Sequence, residues 1–198
     1  MKKQLFFLCL LVAQLTMAEN AKAVLDKASA RFMEAGNVKI GFQITTGGNT
    51  STGYINIAEK KFFCDMGGIC VWFDGTTMWN YVKATEEVNI STPSPRNVER
   101  MNPYFFLSMY KNGYTCKMGK STKTYYEVIM NGNSKTAFST VTVRISKKDY
   151  SPLYTKTVTK KNTMEITVNS YLPNQKFDAA SFRFNPKEFP NAEVIDLR

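Results

Sequence analysis

Between Ile69 and Ile90 the chain reads ICVWFDGTTMWNYVKATEEVNI. The apolar run Ile69 to Phe73 breaks at Asp74-Gly75. That pair is a strong hairpin signal, because glycine accepts the positive φ such turns need. The chain returns through Met78, Trp79, Tyr81 and Val82, breaks again at Thr85-Glu86-Glu87, and leaves through Val88 and Ile90. This predicts three short strands in a meander. Both tryptophans flank the first turn, so much large apolar area lies on one small sheet. What that area covers decides the function.

The same rhythm extends in both directions. Val38, Ile40, Phe42 and Ile44 alternate with polar or small residues, as in a half-buried strand. Gly47-Gly48-Asn49 turns the chain into Tyr54 to Ile57 and then Lys61 to Met66. Further strands are expected at Tyr114 to Met118, Tyr125 to Met130, Thr140 to Ile145, Leu153 to Val158 and Met164 to Val168. Turn signals about ten residues apart predict an antiparallel barrel or sandwich. Two helices interrupt the pattern. Asn20 caps one over Ala21 to Ala35, with Leu25, Ala28, Ser29 and Phe32 on one face and Gly36 ending it. Asn102-Pro103 opens a shorter one, Tyr104 to Tyr110, closed by Gly113. It is apolar nearly all round, so it is either wedged into ordinary core or set as a plug over a greasy cavity.

Met1 to Ala18 reads as a secretory signal peptide. Lys2 and Lys3 form its basic end, Leu5 to Leu15 its apolar run, and Thr16-Met17-Ala18 its cleavage site. The mature chain, 19–198, is expected to be one domain in the periplasm. Removing Lys2 and Lys3 takes the formal charge from +10 to +8. Export excludes nucleic acid as the partner of this charge, leaving solubility and attraction to anionic surfaces. Cys64, Cys70 and Cys116 remain, an odd number. A two-residue turn at Gly67-Gly68 would send Cys64 and Cys70 to opposite faces; a three-residue loop would let them pair. The chain has no histidine. That excludes Ser-His-Asp and Cys-His catalysis as usually built and removes the commonest metal ligand, so neither cofactor nor metal is expected.

The pattern resembles the periplasmic outer-membrane lipoprotein carrier family, LolA. The resemblance rests on the first helix and on Lys60-Lys61-Phe62. It includes Phe73-Asp74-Gly75-Thr76-Thr77-Met78-Trp79-Asn80-Tyr81, the helix opening Asn102-Pro103-Tyr104-Phe105-Phe106-Leu107, and the closing segment Phe177-Asp178-Ala179-Ala180-Ser181-Phe182-Arg183-Phe184-Asn185-Pro186. The ending Glu193 to Arg198 is similar to members from Bacteroides-like bacteria. Lys60 and Lys61 stand without the proline that follows the family's usual basic residue there, and the family's cavity arginine has no clear counterpart.

The resemblance implies an α+β, mainly β fold: a curved antiparallel sheet forming an incompletely closed barrel, with helices covering its mouth. It implies a monomeric carrier, not an enzyme. Such a carrier takes acylated lipoproteins from an inner-membrane ABC transporter and passes them to an outer-membrane acceptor. Strand parity and size select Phe42, Ile55, Ile57, Phe62, Trp72, Trp79, Val88, Met164 and Ile166 as lipid-lining residues, each otherwise plain core. Phe105, Phe106 and Met109 would fill the empty cavity from the second helix. The alternatives are an exported lipid- or lipoprotein-sensing module on the same fold, and an exported hydrolase with an unusual carboxylate site. Burial contributes about 0.8 kcal/mol per CH₂, so a chain of about sixteen carbons gives at most about 13 kcal/mol. Several chains would pass the roughly 18–21 kcal/mol ceiling of noncovalent binding, so burial must be partial or offset by a cost of opening.

Overall fold

The structure is a computed structural model, which describes residues 20–94, 97–98 and 108–198. The signal-peptide reading, and the plug residues Phe105 and Phe106 of the second predicted helix, lie outside the described residues.

Helix α1 spans Ala21–Glu34. It begins where predicted, because the Asn20 Oδ1 accepts the Ala23 N–H at 2.8 Å. It ends at Ala35, and Gly36 takes φ +62°. Ala21, Val24, Leu25, Ala28 and Phe32 form its buried face, with Val24 in the place expected for Ser29. Each large side chain on that face contributes roughly 1.5–3 kcal/mol by leaving water.

Twelve strands follow: β1 Val38–Thr46, β2 Asn49–Ala58, β3 Lys61–Asp65, β4 Ile69–Phe73, β5 Met78–Val82, β6 Glu87–Ser91, β7 Tyr114–Met118, β8 Tyr125–Gly132, β9 Thr140–Ser146, β10 Pro152–Val158, β11 Thr163–Leu172 and β12 Glu193–Asp196. They make one sheet in the order β12-β6-β5-β4-β3-β2-β1-β11-β10-β9-β8-β7. Neighbours are antiparallel except β12, which pairs with β6 in parallel through Val194↔Val88. The sequence reading missed this last pairing. β7 and β12 are the two ends of the sheet, so it curves without closing.

The sheet has an inner and an outer face. On the inner face, Val38, Ile40, Phe42, Ile55, Ile57, Phe62, Val71 and Phe73 from one half join Val128, Met130, Val141, Val143 and Ile145 from the other. The α1 stripe joins the same cluster. Strands far apart in the sheet order can share one core only if the sheet curls around it. A bulge at Gly41/Phe42 against β11 adds to the bend. On the outer face, a second cluster of Trp72, Tyr81, Val88 and Phe184 packs with Phe63, Trp79, Ile90 and Phe189. The chain after β11 runs over this face as a strap. It includes 3₁₀ turns at Ala179–Phe182 and Pro186–Glu188 and finishes as β12.

One open alternative is resolved and two expectations are corrected. Gly67-Gly68 is a two-residue turn, with Met66 N–H bonded to Ile69 C=O at 3.0 Å and φ +81° at Gly67. Cys64 therefore faces inward and Cys70 outward, and both are free thiols. Trp72, Trp79 and Val88 face outward, because β3 to β5 carry large apolar residues on both sides and parity alone does not say which side is hollow. At the end of the second predicted helix, Met109–Lys111 is a 3₁₀ turn.

Candidate functional site: an apolar cavity inside the curved sheet

The inner face encloses a cavity of about 240 Å³. Its walls come from two sets of strands that face each other across the curl. β1 to β4 give Ile40, Phe42, Ile44, Ile55, Phe62, Cys64, Met66 and Val71; β9 to β11 give Val143, Ile145, Pro152, Thr155, Met164, Ile166 and Val168. On β1 and β11 the inward apolar side chains alternate with polar or small neighbours, as Ile166 does between Glu165 and Thr167; on β3 and β4 both faces are apolar. No residue of α1 lines the cavity; that helix packs against β7 and β8 and sets Phe32 on Tyr171, with ring centroids 5.9 Å apart.

Arg144 and Tyr154 also touch the cavity, from β9 and β10. The Arg144 guanidinium donates from Nε to Glu127 Oε2 at 2.9 Å. It lies over the rings of Tyr125 and Tyr154, 5.1 and 4.7 Å from their centroids. Glu127 also accepts the Lys120 N–H at 3.0 Å. Burial works against the Glu127 anion, but Arg144 and that N–H outweigh it and hold its carboxyl below the usual range. The only charged residue among the lining residues is thus engaged with its own partners. Cys64 adds no charge: burial, then Asp65 and Cys70, pushes its thiol up to about 12, so it stays protonated near neutral pH. Such a wall can hold hydrocarbon.

Of the residues selected from sequence, Phe42, Ile55, Phe62, Met164 and Ile166 meet in this cavity. Ile57 faces inward but is 2% exposed and packed into solid core. Met109 is also buried in the inner core beside Tyr110, whose hydroxyl donates to Asp26 Oδ1 and so ties this turn to α1. Trp72, Trp79 and Val88 lie across the sheet under the strap. Sequence reasoning passed over Ile40, Ile44, Val143 and Ile145. Their shared alternation with Phe42 and with Val141 was the signal that could have found them.

A curved, unclosed, mainly antiparallel sheet around an apolar hollow is a geometry that can enclose hydrocarbon chains. The sequence profile described as outer membrane lipoprotein carrier protein LolA matches residues 11–164, and the chain belongs to this family. No curated protein sequence matches it. Among solved structures, an uncharacterized conserved protein from Thermus thermophilus aligns at TM-score 0.63 and 14% identity, over 89% of this chain and 98% of the other. A LolA superfamily protein from Nitrosomonas europaea aligns at TM-score 0.43 and 9% identity, over 83% and 98%. A putative outer membrane lipoprotein-sorting protein domain from Vibrio parahaemolyticus aligns at 0.45 and 13%, over 82% and 96%. The Thermus likeness concerns the fold. No helix among the described residues is long and apolar enough to cross a membrane.

Proposed function

We propose that this chain is a periplasmic chaperone that holds the acyl chains of lipoproteins in its inner cavity. It carries them from an inner-membrane ABC transporter to an outer-membrane acceptor. In this reading Met1 to Ala18 is cleaved, 19–198 works as one monomeric domain of the Bacteroides type, and no catalysis is involved. The observation that carries the reading is the apolar cavity walled by Phe42, Ile55, Phe62, Met164 and Ile166. Methionine suits the task, since its flexible thioether adapts to varied chain shapes.

The cavity's size supports a carrier at rest. At about 240 Å³ it lies below the roughly 300–1,000 Å³ usual for ligand pockets, so loading requires widening. Widening costs free energy, which offsets burial and makes release feasible. In our reading Met109 leaves the core when cargo enters, and the Tyr110–Asp26 bond fixes the hinge of that movement.

The test is depletion of the protein in its host, followed by fractionation of the membranes. Lipoproteins retained at the inner membrane support the carrier; normal delivery rejects it. A purified chain that takes up a fluorescent fatty acid while delivery is normal would point instead to a sensing module.

A further inference from the structure

A second cleft lies on the opposite side of the sheet, between its outer face and the C-terminal strap, with a volume of about 960 Å³. Its floor is aromatic. Tyr54, Phe63 and Trp72 come from three adjacent strands, with successive ring centroids 5.7 and 5.2 Å apart. Its other wall is the strap, through Asp178, Ser181, Arg183 and Glu188.

The charge of this cleft opposes that of the molecule. The whole chain is formally +10. The cleft presents the carboxylates of Asp65, Asp178 and Glu188 against Lys83 and Arg183. Arg183 is already paired with Asp74, 3.0 Å away, which leaves Lys83, and Lys39 over the Tyr54 ring, against three acids. Each acid engages one oxygen locally. Asp65 Oδ1 accepts the Gly67 N–H, Asp178 Oδ1 accepts the Ala180 N–H, and Glu188 Oε1 accepts from Asn185 Nδ2. The aromatic wall accepts cations too, since Lys39 Nζ sits 4.5 Å from the Tyr54 ring centroid.

We infer that this outer cleft is a docking site for a basic peptide segment of a partner protein, with lysine or arginine side chains set among apolar ones. Ammonium groups offset the charge of the three carboxylates and donate to their second oxygens, while apolar side chains lie on Phe63 and Trp72. The site is separated from the cavity by the thickness of the sheet. A partner can therefore be held while the cavity is full, which places recognition of the partner and of the cargo on different faces.

The experiment uses the whole purified protein and a labelled, acetylated decapeptide of alternating leucine and lysine, with its leucine–glutamate counterpart as control. The lysine peptide is expected to bind, with affinity falling as salt rises. Asp65→Asn with Glu188→Gln keeps both local hydrogen bonds, removes two charges and is expected to weaken binding by roughly five- to tenfold. Ser181→Trp, on an exposed strap position, is expected to fill the cleft and abolish binding, with circular dichroism verifying the fold. Fatty-acid probe uptake stays unchanged in these variants. Equal binding of the glutamate peptide, unchanged binding by both variants, displacement of peptide by the fatty acid, or competition by a neutral oligosaccharide would each overturn the inference. The fatty-acid arm reads the inner cavity separately, so failure of one site leaves the other's result intact.

Discussion

Asp74 and Arg183 lie 109 positions apart and meet at 3.0 Å, carboxylate Oδ2 to guanidinium Nε. The contact joins the β4–β5 turn to the C-terminal strap. The other oxygen of Asp74 accepts the N–H groups of Thr76 and Thr77, at 3.1 and 2.9 Å. One side chain thus shapes the hairpin and anchors the strap that covers Trp72.

This gives a pH prediction. Burial disfavours the Asp74 anion, but the Thr77 and Thr76 N–H groups and Arg183 outweigh it, so its carboxyl is held below the usual value. A depressed carboxyl stabilises the fold above its unfolded pKa and loses that contribution as pH falls through the folded one. Arg183→Ala is therefore expected to lower stability by about 0.2–1 kcal/mol at pH 7, since the guanidinium is largely exposed. The difference should shrink as pH falls through the lowered folded-state pKa of Asp74. Thermal melts of both proteins across pH measure it; a gap that does not narrow as the solution is acidified below the usual carboxylate range would refute the assignment.

Glu127 and Arg144 offer a second test. Glu127→Ala leaves the Lys120 N–H and the half-buried guanidinium without their acceptor, at an expected cost of about 1–3 kcal/mol in urea denaturation. Arg144→Lys should also destabilise, because an ammonium cannot lie flat between the Tyr125 and Tyr154 rings.

Filling the cavity should stop uptake of hydrocarbon. Ile166→Trp places a larger ring where the two walls face each other. The expected outcome is a folded protein, weakened by about 1–3 kcal/mol, that no longer binds a fluorescent fatty acid. Trp79→Ala, on the other face, should leave uptake in place. The reverse pattern would move the lipid site to the outer face.

Oxidation should not join Cys64 to Cys70. They face opposite sides of the sheet, and their thiols are pushed up to about 12 and about 11, chiefly by burial. After exposure to oxidised glutathione and then denaturation, mass spectrometry with maleimide is expected to find Cys64, Cys70 and Cys116 all labelled. A fraction with a Cys64–Cys70 crosslink would show that the turn rearranges.

Much of this fold was legible in the order of residues. The break at Asp74-Gly75 falls between β4 and β5, since turns require particular backbone angles and those requirements are local. Faces were legible where one side meets water: Val38, Ile40, Phe42 and Ile44 all point inward. They were not where both sides are covered. Phe62 and Phe63, or Val71 and Trp72, are neighbours on opposite faces, and only the strap's Phe184 and Phe189 explain why the outer one is apolar. That strap is remote in sequence and irregular, with no period announcing what it covers. The parallel seat of β12 was hidden for the same reason.

The two unjoined ends of the sheet, β7 and β12, give this molecule a mechanical freedom. A closed barrel has its radius set by strand number and shear. Here the ribbon can unroll by small changes of twist at many strand boundaries while each ladder keeps its hydrogen bonds. The hollow then behaves like the inside of a leaf spring, taking the girth of whatever it grips and pressing back on it.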